Sequence, residues 1–461
     1  MDAPQSPDHD LAPHERGQAV LARIRELAQH EETQTGGTVE LEATAVNREV
    51  AAVIDGETDS EKKFAVAMLA YERELHAKNF PAAIVLLEWA HKMKYTPQLS
   101  IEQGKLYFLI GNTMKAYETF RTLAENDSRL TPEQTHEVLW FLFKTLRVRE
   151  ITQATQDLFQ DNVRLLLDIQ QRLGISYDDI LRITELALAF RRGYNAVGDN
   201  EGSALSGYDE TIQLGEALPE FEKPRVEADH RRLIGASYLK KAEERRDFFV
   251  KAKPYCDEGG IMRLRKEQLN LLETAEAHTR RAMALLEKTS GLETEGGELL
   301  RTAYNLAKIL CLKAAAVPGN SRMFSDASQA IGHMQILSEQ AKNPLMRGMV
   351  DILYGELLRF GWHDPAGEDE LKMALASNQK ALEAGSGNIE LLLSVLINSG
   401  GILLALAGPE QAKPYIEQAT ELFFERADLR VVRWAEESLR NLAKQVGIIV
   451  KRPKATLFAS A

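Results

Sequence analysis

The sequence predicts an all-α chain built from stacked helical hairpins. Three observations carry this expectation. From Glu61 onward, apolar residues recur at helical spacing. No run alternates apolar and polar residues, and the single Asp-Gly pair, Asp55-Gly56, stands outside any such alternation. Short breaks recur along the chain at Tyr95-Thr96-Pro97, Asn126-Asp127-Ser128, Pro219, Pro318-Gly319-Asn320, Asn343-Pro344 and Gly385-Ser386-Gly387. Each stretch between them is long enough for one or two helices.

Composition sets the outer limits. Of 461 residues, 44% are hydrophobic and 27% charged, which fits a soluble globular chain and excludes wholesale disorder. Only 30 are Gly, so a collagen-like repeat is excluded. The length allows two to four domains or one long repeat array. The net charge of -12 argues against a general nucleic-acid binder. Cys256 and Cys311 are too few for a disulfide framework, so a reducing, cytoplasmic setting is expected. The start, MDAPQSPDHDLAPHERG, lacks the basic and apolar stretches of a secretory leader, and its acids speak against a transit peptide.

Along the chain, residues 1–60 form an acidic arm, with 13 acidic side chains against four arginines and a net charge of −9. Residues 1–15 read as disordered and 31–42 as a loop. Between them GQAVLARIRELAQH places Val20, Ile24 and Leu27 on one helical face. Residues 61–440 follow as a repeat domain, and a break into two lobes near 195–225 is the alternative to one continuous array. Residues 441–461 make a basic tail with Lys444, Lys451, Arg452 and Lys454 and no acid.

Within the repeat domain, residues 78–90 (KNFPAAIVLLEWA) set Ala83 before Leu87 and Ala90. Residues 104–123 set Gly104, Tyr107, Gly111, Ala116, Phe120 and Leu123 in a pattern whose small residue, Ala116, lies 33 positions after Ala83. A small residue in each helix of a pair lets the two axes approach, and large apolar residues a turn away fill the remaining space. Such a pair leaves an outer apolar stripe uncovered, so pairs must stack. Val138 to Val148 is apolar nearly all round, the mark of a helix buried inside the array. The glycine-rich 198–207 stretch reads as a flexible loop. Residues 240–270 and 361–370 read as insertions. Gly235 and Tyr238 make a half match, completed beyond the insertion by Ala275, Thr279 and Ala282; Ala374, Asn378 and Ala381 match a second helix. Leu391 to Pro409 is uncharged over about the length of a membrane span, but Asn398, Ser399, Gly400 and Gly401 at its centre favour a buried helix with close packing. Residues 400–419 repeat the pattern with Gly400, Ala412, Ile416 and Ala419.

These residues resemble the tetratricopeptide repeat, a helix–turn–helix unit of about 34 residues. Gly104 and Tyr107 match the small and aromatic positions of its first helix, Gly111-Asn112 its turn, and Ala116, Phe120 and Leu123 its second helix. The resemblance implies a right-handed α-solenoid, partly degenerate here. The family's proline is displaced to Pro97 and Pro132, and residues 133–215 lose the signature.

The resemblance further implies a concave groove lined by first helices. By position it would present Met68, Glu72 and His76, then Gln98, Lys105 and Phe108, then Asp229, Arg232 and Lys240. Family members that clamp a carboxylate terminus use Lys, Asn and Arg where this chain has Met68, Glu72, Ile101 and Glu102, so that clamp is not expected. Self-packing by the chain's own arm or insertions is the competing occupant of the groove. Catalytic and metal motifs are missing from the sequence: it holds no HExxH, P-loop, GxSxG or GxGxxG opening a helix. Pairs such as Asp178-Asp179 and Glu243-Glu244 read as solvated helix faces, and Cys256, near Lys251 and Lys253, lacks a partner histidine. Residues 225–282 hold 14 basic against 10 acidic side chains, with Phe248, Phe249 and Tyr255 interleaved. That texture suits RNA, although a solvated helix laced with ion pairs explains the same letters. The expected function is a non-enzymatic adaptor that holds a partner protein in a larger assembly, with no cofactor, no metal and no membrane span. An RNA-associated protein and a ligand-responsive sensor are the alternatives.

Overall fold

The computed structural model describes residues 59–448, apart from 78, 148–152, 197–200, 253–254, 290–295, 342, 362–366, 386–388 and 426–433. Among the described residues there are 17 α-helices and no strand. The chain divides into two compact units, Met1–Thr184 and Glu185–Ala461. The acidic arm, apart from its last two residues, lies outside the described residues, as do Lys451, Arg452 and Lys454 of the tail.

The first unit holds α1 (Ser60–His76), α2 (Phe80–Met93), α3 (Pro97–Leu109), α4 (Thr113–Asn126), α5 (Pro132–Arg147), α6 (Gln153–Leu173) and the start of α7 (Asp178–Ala196). From α1 to α6 each helix packs on the next, and α3 also touches α5. The starts are dictated locally. Asp59, Asn79, Thr96 and Asn112 each turn a side-chain oxygen onto a free backbone N–H of the first turn, and Pro81 and Pro97 occupy early positions where no donor is needed. Gly111 turns the chain between α3 and α4 with φ 78°, which a residue bearing a Cβ resists. At Gly104 an added Cβ would stand 2.7 Å from the Phe120 ring, so the bare backbone of α3 is what admits the ring. Phe120 is fully buried and stacks on Phe141 of α5 at 5.2 Å. Val138 to Phe143 are all buried, so α5 is covered on every side, as its all-round apolar sequence predicts.

The second unit holds the rest of α7, then α8 (Glu201–Ala217), α9 (Pro224–Ala252), α10 (Glu258–Thr289), α11 (Gly296–Ala316), α12 (Ser321–Gln340), α13 (Pro344–Phe360), α14 (Glu368–Gly385), α15 (Ile389–Ala407), α16 (Pro409–Glu425) and α17 (Trp434–Gln445). Each helix from α8 onward packs on its successor. The odd-numbered helices α9, α11, α13, α15 and α17 also touch one another in sequence. First helices of successive hairpins thus form one layer. The tight contact of α3 and α4 recurs in each hairpin whose first helix carries a central glycine. An added Cβ would meet Thr279 at 2.7 Å from Gly235, Asn378 at 2.9 Å from Gly355, and Ile416 at 2.9 Å from Gly400.

Three sequence readings are corrected. The 198–207 stretch is not a loop where it is described: Glu201–Gly207 opens α8. Its small residues serve a close approach, since a Cβ on Gly207 would lie 2.4 Å from the Gly193 backbone. Residues 240–270 do not break the repeat; they lengthen its helices, giving α9 29 residues and α10 32. Asn441–Gln445 belongs to α17 rather than to a tail. The apolar 391–409 stretch is α15 up to Ala407, with Leu391, Leu393, Val395 and Ser399 buried and Gly400 against Ile416. No described helix is long and apolar enough to cross a membrane.

The Gly207→Ala variant is expected to lose about 1–3 kcal/mol in urea unfolding, because backbone rather than a mobile side chain stands in the way. Gly332→Ala in α12, where a Cβ meets nothing within 4 Å, is the control and is expected to gain about 0.5–1 kcal/mol.

Candidate functional site

The groove positions carried over from the sequence fall on first helices of both units. On α1, Met68 is half-buried, Glu72 and His76 are exposed, and His76 Nδ1 donates to the Glu72 carbonyl oxygen at 2.6 Å. On α3, Gln98, Lys105 and Phe108 share the face that meets α5. Gln98 donates to Glu102 at 2.9 Å and accepts from Gln134 at 3.2 Å. Lys105 is 8% exposed and sits between Glu102 at 2.9 Å and Glu137 at 2.7 Å, with its ammonium over the Phe141 ring. Phe108 meets Phe141 edge-on at 6.1 Å, and Lys144 lies over both rings. Lys105 is therefore closed off by the chain's own carboxylates, whereas Gln98 is exposed and Phe108 half-buried.

In the second unit a ladder of charge crosses the first-helix layer. Asp229 of α9 is buried and accepts two bonds from Arg232, one of them at 3.0 Å from Nε. Glu298 of α11 adds its field to the same guanidinium. Two turns on, Lys240 donates to Glu243 at 2.8 Å, and Lys308 of α11 reaches the other Glu243 oxygen. Burial alone would raise the Glu243 carboxyl, but Lys240 and Lys308 outweigh it and hold the group well below the ordinary carboxylate range. Burial likewise opposes the charge on Lys308, and Glu243 overcomes it, so its ammonium titrates above the usual value. Tyr304, one turn before Lys308, is pushed up to about 12 by burial. On α13, Glu356 accepts from Asn398 of α15 at 3.5 Å, and Arg359 lies over Phe360 and against α15 where Gly401 leaves room. Arg301, although exposed, and half-buried Arg359 both titrate below the ordinary arginine range, through desolvation by the packed atoms around them and for Arg301 also through Arg232 and Arg191, while Glu298 and Glu356 act in the opposite sense. Neither guanidinium has a hydrogen bond or an ion pair with a described residue.

Sequence reasoning reached Asp229, Arg232 and Lys240 but missed their counterparts. The signal was present on α11, where Arg301, Tyr304 and Lys308 recur at helical spacing, and on α13 at Glu356 and Arg359. Glu243 corrects the reading of the paired carboxylates as solvated faces: its side chain is 18% exposed and bound by two lysines.

The distal end of the α9–α10 hairpin is a second candidate. The core beneath this pair ends at Ala242 and Leu272. Among the described residues none from Glu243 through Glu267 is buried, and Phe248, Tyr255 and Met262 are 53%, 89% and 69% exposed. Arg245 lies over Phe248 and pairs with Glu267, and Arg265 lies over Phe249. Ion pairs do lace the root of the hairpin, as the sequence predicts for a solvated helix: Arg231 with Glu227 at 2.6 Å and Arg280 with Glu276 at 2.7 Å.

Cys311 is buried and its thiol is raised well above the ordinary range, chiefly by that burial, while Cys256 is partly exposed. Among the described residues no group of three His, Cys, Asp or Glu is placed to hold a metal ion.

No family model matches the chain, and no curated protein matches it in sequence. Solved structures similar to it include yeast Tom70, at 10% identity over 94% of this chain and 99% of that chain, with TM-score 0.23. A complex of Naa15 and Naa10 bound to HypK-THB matches at 13% identity over 96% of this chain and 69% of that one, with TM-score 0.22. A circular tandem repeat protein matches at 15% identity over 94% and 97%, with TM-score 0.22. At these TM-scores the likenesses carry no argument about function, and the helical-repeat architecture rests on the helices and their contacts.

Glu243 titrates lower folded than unfolded, so its stabilisation is present at neutral pH and is lost as pH falls below the ordinary carboxylate range, about 4.5. Glu243→Gln is expected to lose about 1–3 kcal/mol at pH 7 and to show a flatter decline of the urea midpoint below pH ~4.5 than the parent chain, read by circular dichroism.

Proposed function

We propose that this chain is a non-enzymatic interaction scaffold whose tetratricopeptide-like hairpins hold a segment of a partner protein along the first-helix layer of the second unit, in a reducing cytoplasm. The observation that carries the reading is the pair Arg301 and Arg359. Two guanidinium groups on successive first helices, Arg301 exposed and Arg359 half-buried, make no hydrogen bond or ion pair with a described residue and feel Glu298 and Glu356 only at longer range. A guanidinium without a direct partner can take a bidentate bond from a carboxylate brought by a partner protein. The tetratricopeptide-like reading is supported by the contact of Gly104 with Phe120 and its recurrence at Gly235, Gly355 and Gly400.

Capture of partners by the tagged full-length chain, with and without nuclease, tests this reading. Arg301→Gln combined with Arg359→Gln is expected to reduce recovery of the main protein partner about tenfold, while the melting temperature stays within about 2 °C. Phe108 and Arg232 are poorer choices, because one packs on Phe141 and the other neutralises buried Asp229. Partners that vanish with nuclease, or recovery unchanged by the double variant, would overturn the assignment.

A further inference from the structure

The end of the α9–α10 hairpin has a composition and an order of depth that the scaffold reading does not use. Residues 245–266 contain Arg245, Arg246, Lys251, Lys253, Arg263, Arg265 and Lys266 against Asp247, Asp257 and Glu258, a local excess of four positive charges bordered at its base by Glu243, Glu244 and Glu267, in a chain of net charge -12. Large apolar side chains are exposed on the same segment, led by Tyr255 at 89% and Met262 at 69%. An exposed end with no core beneath it gains nothing for folding from these residues.

We propose that this hairpin end is a membrane-surface anchor, seating its apolar apex among the headgroups of an anionic bilayer. The order of side chains along the two helices is what points to a bilayer. Tyr255 lies at the apex, between the end of α9 at Ala252 and the start of α10 at Glu258. Phe248 and Met262 each lie four residues inside their helices, about 6 Å back at 1.5 Å per residue. Arg245, Arg246, Arg263, Arg265 and Lys266 lie about 8–12 Å back on the same rise. Interfacial segments bury their apolar face about 5–10 Å into the boundary of headgroups and acyl chains. Insertion to the depth of Phe248 and Met262 thus brings the cations level with lipid phosphates. Asp257 at the apex is occupied by capping α10, where its carboxylate accepts from the Gly260 N–H at 2.7 Å. Single-stranded RNA fits less well. Stacking needs open ring faces, yet Arg245 and Arg265 lie over Phe248 and Phe249, and Met262 has no ring.

The proposal is independent of the first-helix assignment and is tested on the full chain with vesicles alone. In flotation at about 0.1 M salt, the protein is expected to bind phosphatidylcholine vesicles carrying about 30% phosphatidylglycerol and not pure phosphatidylcholine vesicles, and to be released at about 0.5 M salt. Phe248→Ser with Tyr255→Ser and Met262→Ser is expected to cut binding about tenfold with unchanged helicity, because all three side chains are already exposed. Arg263→Glu with Lys266→Glu is expected to cut it as far. No vesicle binding, or binding that survives the triple variant, would overturn the proposal. So would variants that leave vesicles bound but abolish binding of a single-stranded RNA of about 20 nucleotides, which would assign the surface to nucleic acid.

Discussion

The approach of two helices through a glycine at the centre of the first is the contact on which the rest of the structure depends. Where Gly104, Gly235, Gly355 and Gly400 face the second helix, a Cβ would stand within 3 Å of the opposing atoms. Removing it lets the paired axes close and carries the large side chains on either flank into mutual contact. A pair closed in this way still has an apolar stripe on each outer side. That stripe is covered by the neighbouring hairpin, which is why α9, α11, α13 and α15 also touch one another as a layer. The residue opposite the glycine varies freely: Phe120, Thr279, Asn378 and Ile416 are an aromatic, a hydroxyl, an amide and a branched aliphatic. The geometry asks only that the glycine side be empty, and the partner adapts. Asn378, 1% exposed, has its amide directed to Ser399 of α15.

Charge follows from the same layering. Stacked first helices present their long polar side chains to one another at short range, in a setting poorer in water than the outer faces. There Glu243 is held ionised between Lys240 and Lys308, and Asp229 pairs with Arg232. Pairs of this kind set the register of neighbouring helices more than they add to stability, because desolvation offsets much of the attraction. Arg301 and Arg359 differ in making no hydrogen bond or ion pair with a described residue, with Glu298 and Glu356 acting on them only through their fields. The long α9–α10 hairpin departs from the layer altogether. Its helices continue past the last buried residues, Ala242 and Gln268, so that end of the chain is shaped by solvent and by whatever it meets rather than by a core.

The helix breaks were written locally and could be read as such. Asn112, Thr96, Asn320 and Asn343 occupy cap positions because a short polar side chain beside a free N–H is sufficient to start a helix, whatever the tertiary surroundings. The repeat was legible where both members of a glycine contact lie 16 residues apart, as with Gly104 and Phe120 or Gly400 and Ile416. It was hidden where the spacing changes. Gly355 and Asn378 are 23 apart, and only the second-helix member stood out in the sequence. The start of α8 read as a loop because glycine and serine weaken intrinsic helix propensity, while its packing against α7 at Gly193 requires a small residue at Gly207.

What the sequence by itself determined is the helical periodicity, the places where helices start and stop, and the presence of small residues for close pairing, because each depends on residues a few positions apart. Tertiary structure alone decided which polar residues are closed off by their own chain and which are left without a partner. Lys105 and Arg301 look alike as letters on a first helix. One forms an ion pair with Glu137 across the layer and the other forms none with a described residue, a distinction that arises only when helices far apart in the chain are brought side by side. The physical reason is that a charge is satisfied by what lies within a few ångströms in space, and along this chain those neighbours come from other helices.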